Sequence, residues 1–176
     1  FEMNEQRNIL PKDWKWVKLR EACSIIMGQS PPSTSYNTDG IGLPFFQGKA
    51  EFTELHPKVE KWCSMPNKIA EINDVLLSVR APVGTTNIAD KQCCIGRGLA
   101  AIRFENHKYG FYFLKSKQHE LDSKGTGTTF KAISGETLKE TMFPLPPKPT
   151  QQAIVSKIEE LFSELDKGIE QLKTAQ

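Results

Sequence analysis

Amide, hydroxyl and ammonium side chains lie together in one short turn and one long polar loop of this 176-residue chain. Gln47 and Lys49 flank Gly48 in a predicted tight turn, and the loop that follows Gly28 is polar throughout. Groups of these types hydrogen-bond the edges of nucleic-acid bases: amides pair with adenine, ammonium groups with guanine, and hydroxyls with either. Each residue could instead be an ordinary solvated loop side chain. The candidates for base contacts are Gln29, Ser30, Thr34, Gln47 and Lys49.

A second polar segment, between Lys124 and Lys131, alternates hydroxyl and cationic side chains with glycines. Glycine lets the backbone approach a ligand closely, and backbone or cationic contacts to phosphates position a protein on nucleic acid. Arg80 and Arg97 could either contact DNA or hold neighbouring loops in place, and the sequence favours neither role. The candidates for phosphate contacts are Lys124, Thr126, Thr128, Thr129, Lys131, Arg80 and Arg97.

Motifs for catalysis are missing from the sequence. Ser30-Pro31-Pro32 imitates the start of an adenine-methyltransferase motif, but Ser33 stands where an aromatic residue would stack on a flipped base. The chain contains no Glu-x-Lys of the common nucleases, no phosphate-binding loop and no C-x-x-C pair. The sequence therefore predicts a non-catalytic chain that binds no metal and no cofactor of its own.

Composition and charge are compatible with nucleic-acid binding without requiring it. The net charge is +2, with 23 basic and 21 acidic residues. From Gln151 onward three lysines face five acids, so the preceding residues carry +4. The four cysteines show no disulfide or zinc spacing, and no apolar run is long enough to span a membrane. We therefore expect a cytoplasmic protein with reduced cysteines.

The pattern of short β-rich runs and polar loops predicts an α/β domain (mixed α+β) over residues 1–149, with a short twisted sheet and small helices. Predicted strands are Trp14–Leu19, Val75–Val79, Leu99–Phe104 and Thr141–Leu145. Predicted short helices are Pro66–Ile72, His107–Ser123 and a turn capped by Ser134.

A coiled-coil-like helix is predicted for residues 150–176, beginning at about Thr150 after a proline-rich bridge. Apolar residues recur there at spacings of three and four, with a second stripe repeating every seven residues. An ordinary C-terminal helix that packs on its own domain is the alternative. The predicted subunit-interface residues are Ile154, Ile158, Leu161, Phe162, Leu165, Ile169 and Leu172.

Several segments, in this order and spacing, resemble the DNA-specificity (S) subunits of type I restriction–modification enzymes. The resemblance covers nearly the whole chain. The segments that carry it are Leu10-Pro11-x-x-Trp14, Gly42-x-Pro44-Phe45-Phe46-Gln47-Gly48-Lys49, Ser78-Val79-Arg80-Ala81-Pro82-Val83-Gly84, Cys94-Ile95-Gly96-Arg97-Gly98, Gly127-Thr128-Thr129-Phe130 and Phe143-Pro144-Leu145-Pro146-Pro147 with Gln151-Gln152.

The resemblance implies one target-recognition domain, which reads half of a bipartite site in double-stranded DNA, followed by the start of a conserved spacer helix. It further implies that modification subunits methylate adenine N6 with S-adenosylmethionine, and that a restriction subunit uses ATP and Mg²⁺. A full subunit of this family has two such domains, so this chain is expected to be either part of a longer subunit or a half-length one that forms a homodimer through its helix. The competing hypothesis is a non-catalytic protein–protein adaptor with an oligomerisation helix.

Overall fold

The computed structural model describes residues 10–175 and contains eleven strands, five α-helices and two single turns of 3₁₀ helix within that range. The strands are β1 (Lys15–Lys18), β2 (Cys23–Met27), β3 (Tyr36–Asn37), β4 (Leu43–Phe46), β5 (Trp62–Cys63), β6 (Ile69–Ala70), β7 (Val75–Ser78), β8 (Thr86–Ile88), β9 (Cys93–Ile95), β10 (Leu99–Phe104) and β11 (Met142–Leu145). The helices are α1 (Leu19–Ala22), α2 (His107–Ser116), α3 (Gln118–Ser123), α4 (Gly135–Lys139) and α5 (Lys148–Thr174). The predicted mixed α/β class is confirmed.

A four-stranded antiparallel sheet in the order β2-β10-β7-β8 forms the centre of the domain. Strand β10 is buried on both faces, and its side chains alternate between two cores, as the period of two requires. Ala100 and Ile102 face a core built with α2, α3, α4 and α5, whereas Leu99 and Ala101 face a second core. Two cores on opposite faces explain why the first four residues of the strand, 99–102, are all apolar.

The second core lies between the central sheet and a five-stranded sheet in the order β3-β5-β4-β9-β6. Its strands are two to four residues long, and β4 and β9 are parallel. The helix predicted for Pro66–Ile72 is wrong. Ile69 and Ala70 instead pair with β9 as β6, because this pairing buries Ala70 completely whereas a surface helix of this length would be marginal.

Side-chain caps explain where two of the small helices begin; the Ser134 cap was predicted, and the Asn106 cap was not. The Asn106 side chain accepts a hydrogen bond from the Tyr109 amide at 3.1 Å at the start of α2, and Ser134 accepts one from the Thr137 amide at 3.1 Å before α4. The single helix predicted from His107 to Ser123 is present as two, α2 and α3, with a break at Lys117.

Helix α5 begins at Lys148, two residues before the predicted start at Thr150. Pro149 lies in its first turn, where a missing amide hydrogen costs nothing, so the prolines begin the helix rather than separate it from the domain. The first turns pack on the domain: Val155 is buried, and Lys108 on α2 forms an ion pair with Glu159 at 2.6 Å. The remainder of α5 extends away from this contact with its apolar side chains exposed.

The two ends of the domain are joined by β1 and β11, which form a separate antiparallel pair. Lys15 lies opposite Leu145 and Lys18 lies opposite Met142. The pair is continued by a hydrogen bond from the Leu19 amide to the Thr141 carbonyl at 2.9 Å. The start of the described chain is therefore fixed next to the segment that leads into α5.

Candidate nucleic-acid interface

Strand ends from both sheets meet at one side of the domain. Strands β2 and β7 end there and β10 begins there, because β10 is antiparallel to both. Strands β4 and β9, from the other sheet, end at the same place, where the Gly96 amide donates to the Phe46 carbonyl at 2.8 Å. We call this surface the polar edge; it comprises residues 28–30, 47–49, 79–81 and 96–98.

Ser30 links three segments of the polar edge. Its Oγ donates to Gln47 Oε1 at 3.0 Å and accepts from Gln47 Nε2 at 2.8 Å. The Arg97 amide lies 3.4 Å from the same oxygen, and Asn67 Nδ2 lies 3.4 Å from the Ser30 carbonyl. Four of the predicted candidates therefore come together, since the Gln29 amide also donates to the Ile95 carbonyl at 3.1 Å. Asn67 was not among the sequence candidates.

Glycines permit the close approach of these segments. A Cβ on Gly28 would lie 2.0 Å from the Gly96 carbonyl oxygen, and a Cβ on Gly98 would lie 2.6 Å from the Gln47 carbonyl oxygen. At Gly96 it would lie 2.9 Å from the Gln47 Cα atom. Larger residues would push the loops apart, so the glycines around Arg97 hold Gln47 and Ser30 beside it.

The second group of candidates adjoins the same edge. The Val79 amide donates to the Gly98 carbonyl at 3.0 Å, and the Val79 carbonyl accepts from the Ile133 amide at 2.9 Å. One residue further on, Arg80 forms a β-bridge with Ala132. The Val79–Gly98 hydrogen bond lies one residue from Arg80 in one segment and one residue from Arg97 in the other, so both arginines belong to the same edge.

The two arginines of the polar edge differ from the other described arginines in their partners. Arg103 forms a bidentate ion pair with Asp74 at 2.8 and 2.9 Å, and Arg20 pairs with Glu136 and Glu140. Arg80 and Arg97 are exposed, and neither forms an ion pair with an acid in residues 10–175. Two uncompensated guanidinium groups on one edge suit an anionic ligand.

Buried Ser78 positions Arg80. The Ser78 Oγ donates to the Arg80 carbonyl at 2.7 Å and to the Pro82 carbonyl at 3.0 Å. These two contacts hold the turn that follows β7. The residue is only 2% exposed, so water does not compete for these contacts. Sequence reasoning missed this role, because a serine at the end of a strand has many other uses.

The lysines of the second group have acidic partners. Lys124 Nζ lies 3.1 Å from Glu120, and Lys131 Nζ lies 3.0 Å from Asp122. The pKa of Asp122 is held below its usual value, first by the Lys131 ammonium group and then by the Val83 amide, which donates to it at 3.0 Å. Lys131 and Asp122 thus tie the loop that carries Thr126, Thr128 and Thr129 to the turn after β7.

The remaining candidates are exposed or lie on α5. Thr34 and Lys49 are exposed in separate single turns of 3₁₀ helix, so Lys49 is not held against Gln47. On α5, Ile154 packs against the domain core and Ile158 is half-buried. The exposed members of the predicted seam are Leu161, Phe162, Leu165, Ile169 and Leu172.

Cysteine and metal chemistry contribute nothing recognisable to this surface. Burial raises the pKa of the Cys23 and Cys93 thiols to about 12 and that of Cys94 to about 11, which keeps them protonated and unreactive. Among residues 10–175, no three His, Cys, Asp or Glu side chains are grouped closely enough to hold a metal ion. No helix in the same range is both long and apolar enough to cross a bilayer.

Comparison with known proteins identifies the class of domain. Residues 11–174 match the family model for the type I restriction modification DNA specificity domain. The chain belongs to this family, and the predicted resemblance is confirmed. It is 42% identical over 175 residues to a putative type I restriction enzyme MjaX specificity subunit from Methanocaldococcus jannaschii, an alignment that covers 94% of this chain and 41% of the relative.

Two solved structures share the fold. The HsdS subunit from Thermoanaerobacter tengcongensis superposes with a TM-score of 0.83 at 46% identity, over 93% of this chain and 40% of that one. A chain from a structure that addresses complex assembly and conformational transition of the type I R-M system gives 0.86 at 47% identity, over 93% and 42%. The chain thus spans about two fifths of each of these proteins. The family description as a DNA specificity domain and the name of the relative from M. jannaschii as a specificity subunit support a recognition module rather than an enzyme.

Proposed function

We propose that this domain reads one half of a bipartite site in double-stranded DNA, as the specificity component of a type I restriction–modification complex. The observation that carries the proposal is the pair of exposed arginines without acidic partners, Arg80 and Arg97, at the edge where the loops of a specificity-family domain converge. The adaptor hypothesis offers no reason for these two cations to lie together.

In this proposal the arginines position the domain and the neighbouring polar side chains supply specificity. Guanidinium groups bind phosphate oxygens in bidentate fashion, which sets register without reading sequence. Gln47 is already held by Ser30, so its amide is pre-oriented, and the exposed Lys49 ammonium group is free to reach a guanine. Pre-orientation reduces the entropy lost on binding.

The chemical steps belong to other subunits. We infer that modification subunits methylate adenine N6 with S-adenosylmethionine and that a restriction subunit cleaves with ATP and Mg²⁺, in a cytoplasmic complex. In this proposal the chain determines which DNA sequence the complex recognises. The sequence motifs for methyl transfer and nucleotide hydrolysis are missing from it, so its own side chains take no part in the chemistry.

Salt dependence of DNA binding tests the role of the arginines. The logarithm of DNA affinity falls with the logarithm of salt concentration by about 0.9 for each phosphate contact. Arg80→Ala and Arg97→Ala should therefore each make this fall shallower by about one unit. Lys91→Ala is the matched control, since Lys91 is exposed and lies beyond β8 at the opposite end of the central sheet. Equal slopes for all four proteins would refute the assignment of the polar edge.

Specificity is tested by mapping N6-methyladenine in host DNA, with the chain expressed beside its modification subunit. Gln47→Ala and Lys49→Ala should relax the recognised half-site at one or more positions. If the methylation map is identical for both variants, Gln47 and Lys49 do not read bases, and residues of other loops do. A split palindrome in the unaltered map would indicate two identical domains, as in a homodimer.

The exposed half of α5 is proposed to pair with a second helix, either from another copy or from the second half of a longer subunit. Leu165 is 58% exposed, so Leu165→Glu should abolish that pairing while leaving the unfolding of the domain unchanged. Gln171→Glu adds the same charge away from the apolar stripe and should be silent. Analytical ultracentrifugation measures pairing between copies, and co-purification with a separately expressed second half measures the alternative. Unaltered association of Leu165→Glu in both assays would exclude this face.

A further inference from the structure

Phe130 is the most exposed large apolar side chain in residues 10–175. Its exposed fraction is 85%, whereas Leu172 at the end of α5 reaches 71% and Ile72 reaches 60%. Most phenylalanines of the described chain contribute to the cores, among them Phe46 and Phe143. Exposing an aromatic ring to water is unfavourable in free energy, and no packing within the described part of this domain covers the Phe130 ring.

The loop that carries Phe130 is firmly built. Thr126 and Ala132 exchange two backbone hydrogen bonds of 2.9 Å across its base. Gly127 has a φ of +117°, and a Cβ there would lie 2.4 Å from the Phe130 carbonyl oxygen, so only glycine fits this turn. With the Lys131–Asp122 ion pair at 3.0 Å, these contacts fix the base of the loop, and Phe130 is exposed at its tip.

The position of the loop indicates what the ring meets. Ala132 bridges to Arg80, and the Lys131 carbonyl accepts from the Ala81 amide at 2.9 Å, so the base of the loop adjoins residues 79–81 of the polar edge. Lys131 is paired with Asp122, whereas the adjoining Arg80 is exposed and forms no ion pair with an acid in residues 10–175. Charge complementarity therefore favours an anionic partner with an apolar component.

Phe130 stands alone as an exposed apolar side chain in this loop, which favours DNA over a protein as the partner. The core of a protein interface needs a continuous apolar patch, yet the exposed residues next to Phe130 in the loop are threonines. A nucleic-acid base offers a flat apolar face of the size of one ring, and its phosphates suit the exposed threonine hydroxyls of the loop and the exposed guanidinium group of Arg80. One aromatic ring among such groups fits a base step.

We propose that Phe130 is a wedge that enters between adjacent base pairs at or beside the recognised half-site and partly unstacks them. Wedges of this kind unstack a base step in exchange for a larger contact surface. This inference rests on the proposed function. It adds that the domain senses how easily a base step opens, in addition to reading hydrogen bonds along the base edges.

The test uses the full specificity polypeptide assembled with its modification subunits, and a duplex that carries the methylation-mapped site. 2-Aminopurine is placed in turn at each position except the methylated adenines, because it fluoresces when unstacked. Binding should raise the fluorescence at one or two adjacent positions. Phe130→Ser should remove that signal and lower affinity about 5- to 150-fold, the range found for aromatic–base stacking.

Two variants serve as controls. Phe130→Trp keeps a stacking ring and should retain both signal and affinity, whereas Ile72→Ser removes an exposed apolar side chain from elsewhere and should change neither. Unchanged fluorescence and affinity in Phe130→Ser would overturn the wedge. So would a loss of co-purification with the modification subunits, which would make Phe130 a protein contact. If instead the unaltered complex binds no specific duplex, the proposed function itself fails.

Discussion

Replacing Gly98 by alanine tests whether close backbone contact assembles the polar edge. A Cβ at this position would lie 2.6 Å from the Gln47 carbonyl oxygen and 3.1 Å from the Gly48 Cα. To reach an ordinary contact of 3.4 Å, the two segments must separate by about 0.8 Å. Because the obstructing atoms belong to the backbone, a change of side-chain rotamer cannot relieve the overlap.

The displacement also breaks a hydrogen bond. The Gly98 amide donates to the same Gln47 carbonyl at 3.0 Å, and separation of the segments by this amount takes the pair beyond hydrogen-bond distance. Overpacking costs about 1–3 kcal/mol, and a lost hydrogen bond adds about 1 kcal/mol. We expect Gly98→Ala to lower the free energy of unfolding by about 2–4 kcal/mol, and the melting temperature by about 5–15 °C.

Gly48→Ala provides the matched control, one residue from the obstructed carbonyl. No atom lies within 4 Å of a Cβ at Gly48, and its φ of −159° is extended backbone that any residue adopts. We expect a change below about 0.5 kcal/mol in urea unfolding. Site-specific DNA affinity should also fall for Gly98→Ala. Equal stability of the two variants would refute the steric account of how Gln47 and Arg97 are held together.

Two further predictions concern acidic residues away from the base-contact candidates. Asp74→Asn should lower the free energy of unfolding in urea by about 2 kcal/mol, because the buried carboxylate loses its charge-assisted hydrogen bonds to Arg103. The salt dependence of DNA binding should not change. The control variant Glu71→Gln should leave both quantities unchanged. Since Asp122 has a lowered pKa in the folded state, its ion pair with Lys131 stabilises the fold above the unfolded pKa and is lost as pH falls through the folded one. The wild-type melting temperature should therefore drop more steeply than that of Asp122→Asn below about pH 4, and parallel curves would contradict this.

Local sequence patterns predicted two of the four central strands, though not β2 or β8, and one helix cap. The runs of apolar residues at Val75–Val79 and Leu99–Phe104 form β7 and β10, since strands buried on both faces read as continuous apolar segments. Ser134 caps α4 because an N-terminal hydroxyl needs only a local partner. By contrast, Ile69 and Ala70 form a strand only because β9 lies beside them, a distant contact that a local pattern does not contain.

The arrangement of the candidate site was out of reach for the same reason. Ser30 meets Gln47 across 17 residues of sequence and Arg97 across 67. The residue types could be chosen by their chemistry, but the contacts among them depend on where strands from two sheets end. Lys131 is a reasonable candidate for a phosphate contact by its residue type. Its ion pair with Asp122, nine residues earlier in the chain, depends on the folded loop and could not be read from the sequence.

The pairing of β1 with β11 makes the domain an exchangeable cassette. Lys15 and Leu145 are neighbours across the ladder, so the chain enters and leaves the recognition domain through one narrow neck. A unit whose ends meet can be removed from one polypeptide and inserted into another without rearranging its host. The strand ends that carry Ser30, Gln47 and Arg97 remain within the unit, so the whole polar edge would be replaced in one exchange while the host polypeptide keeps its fold.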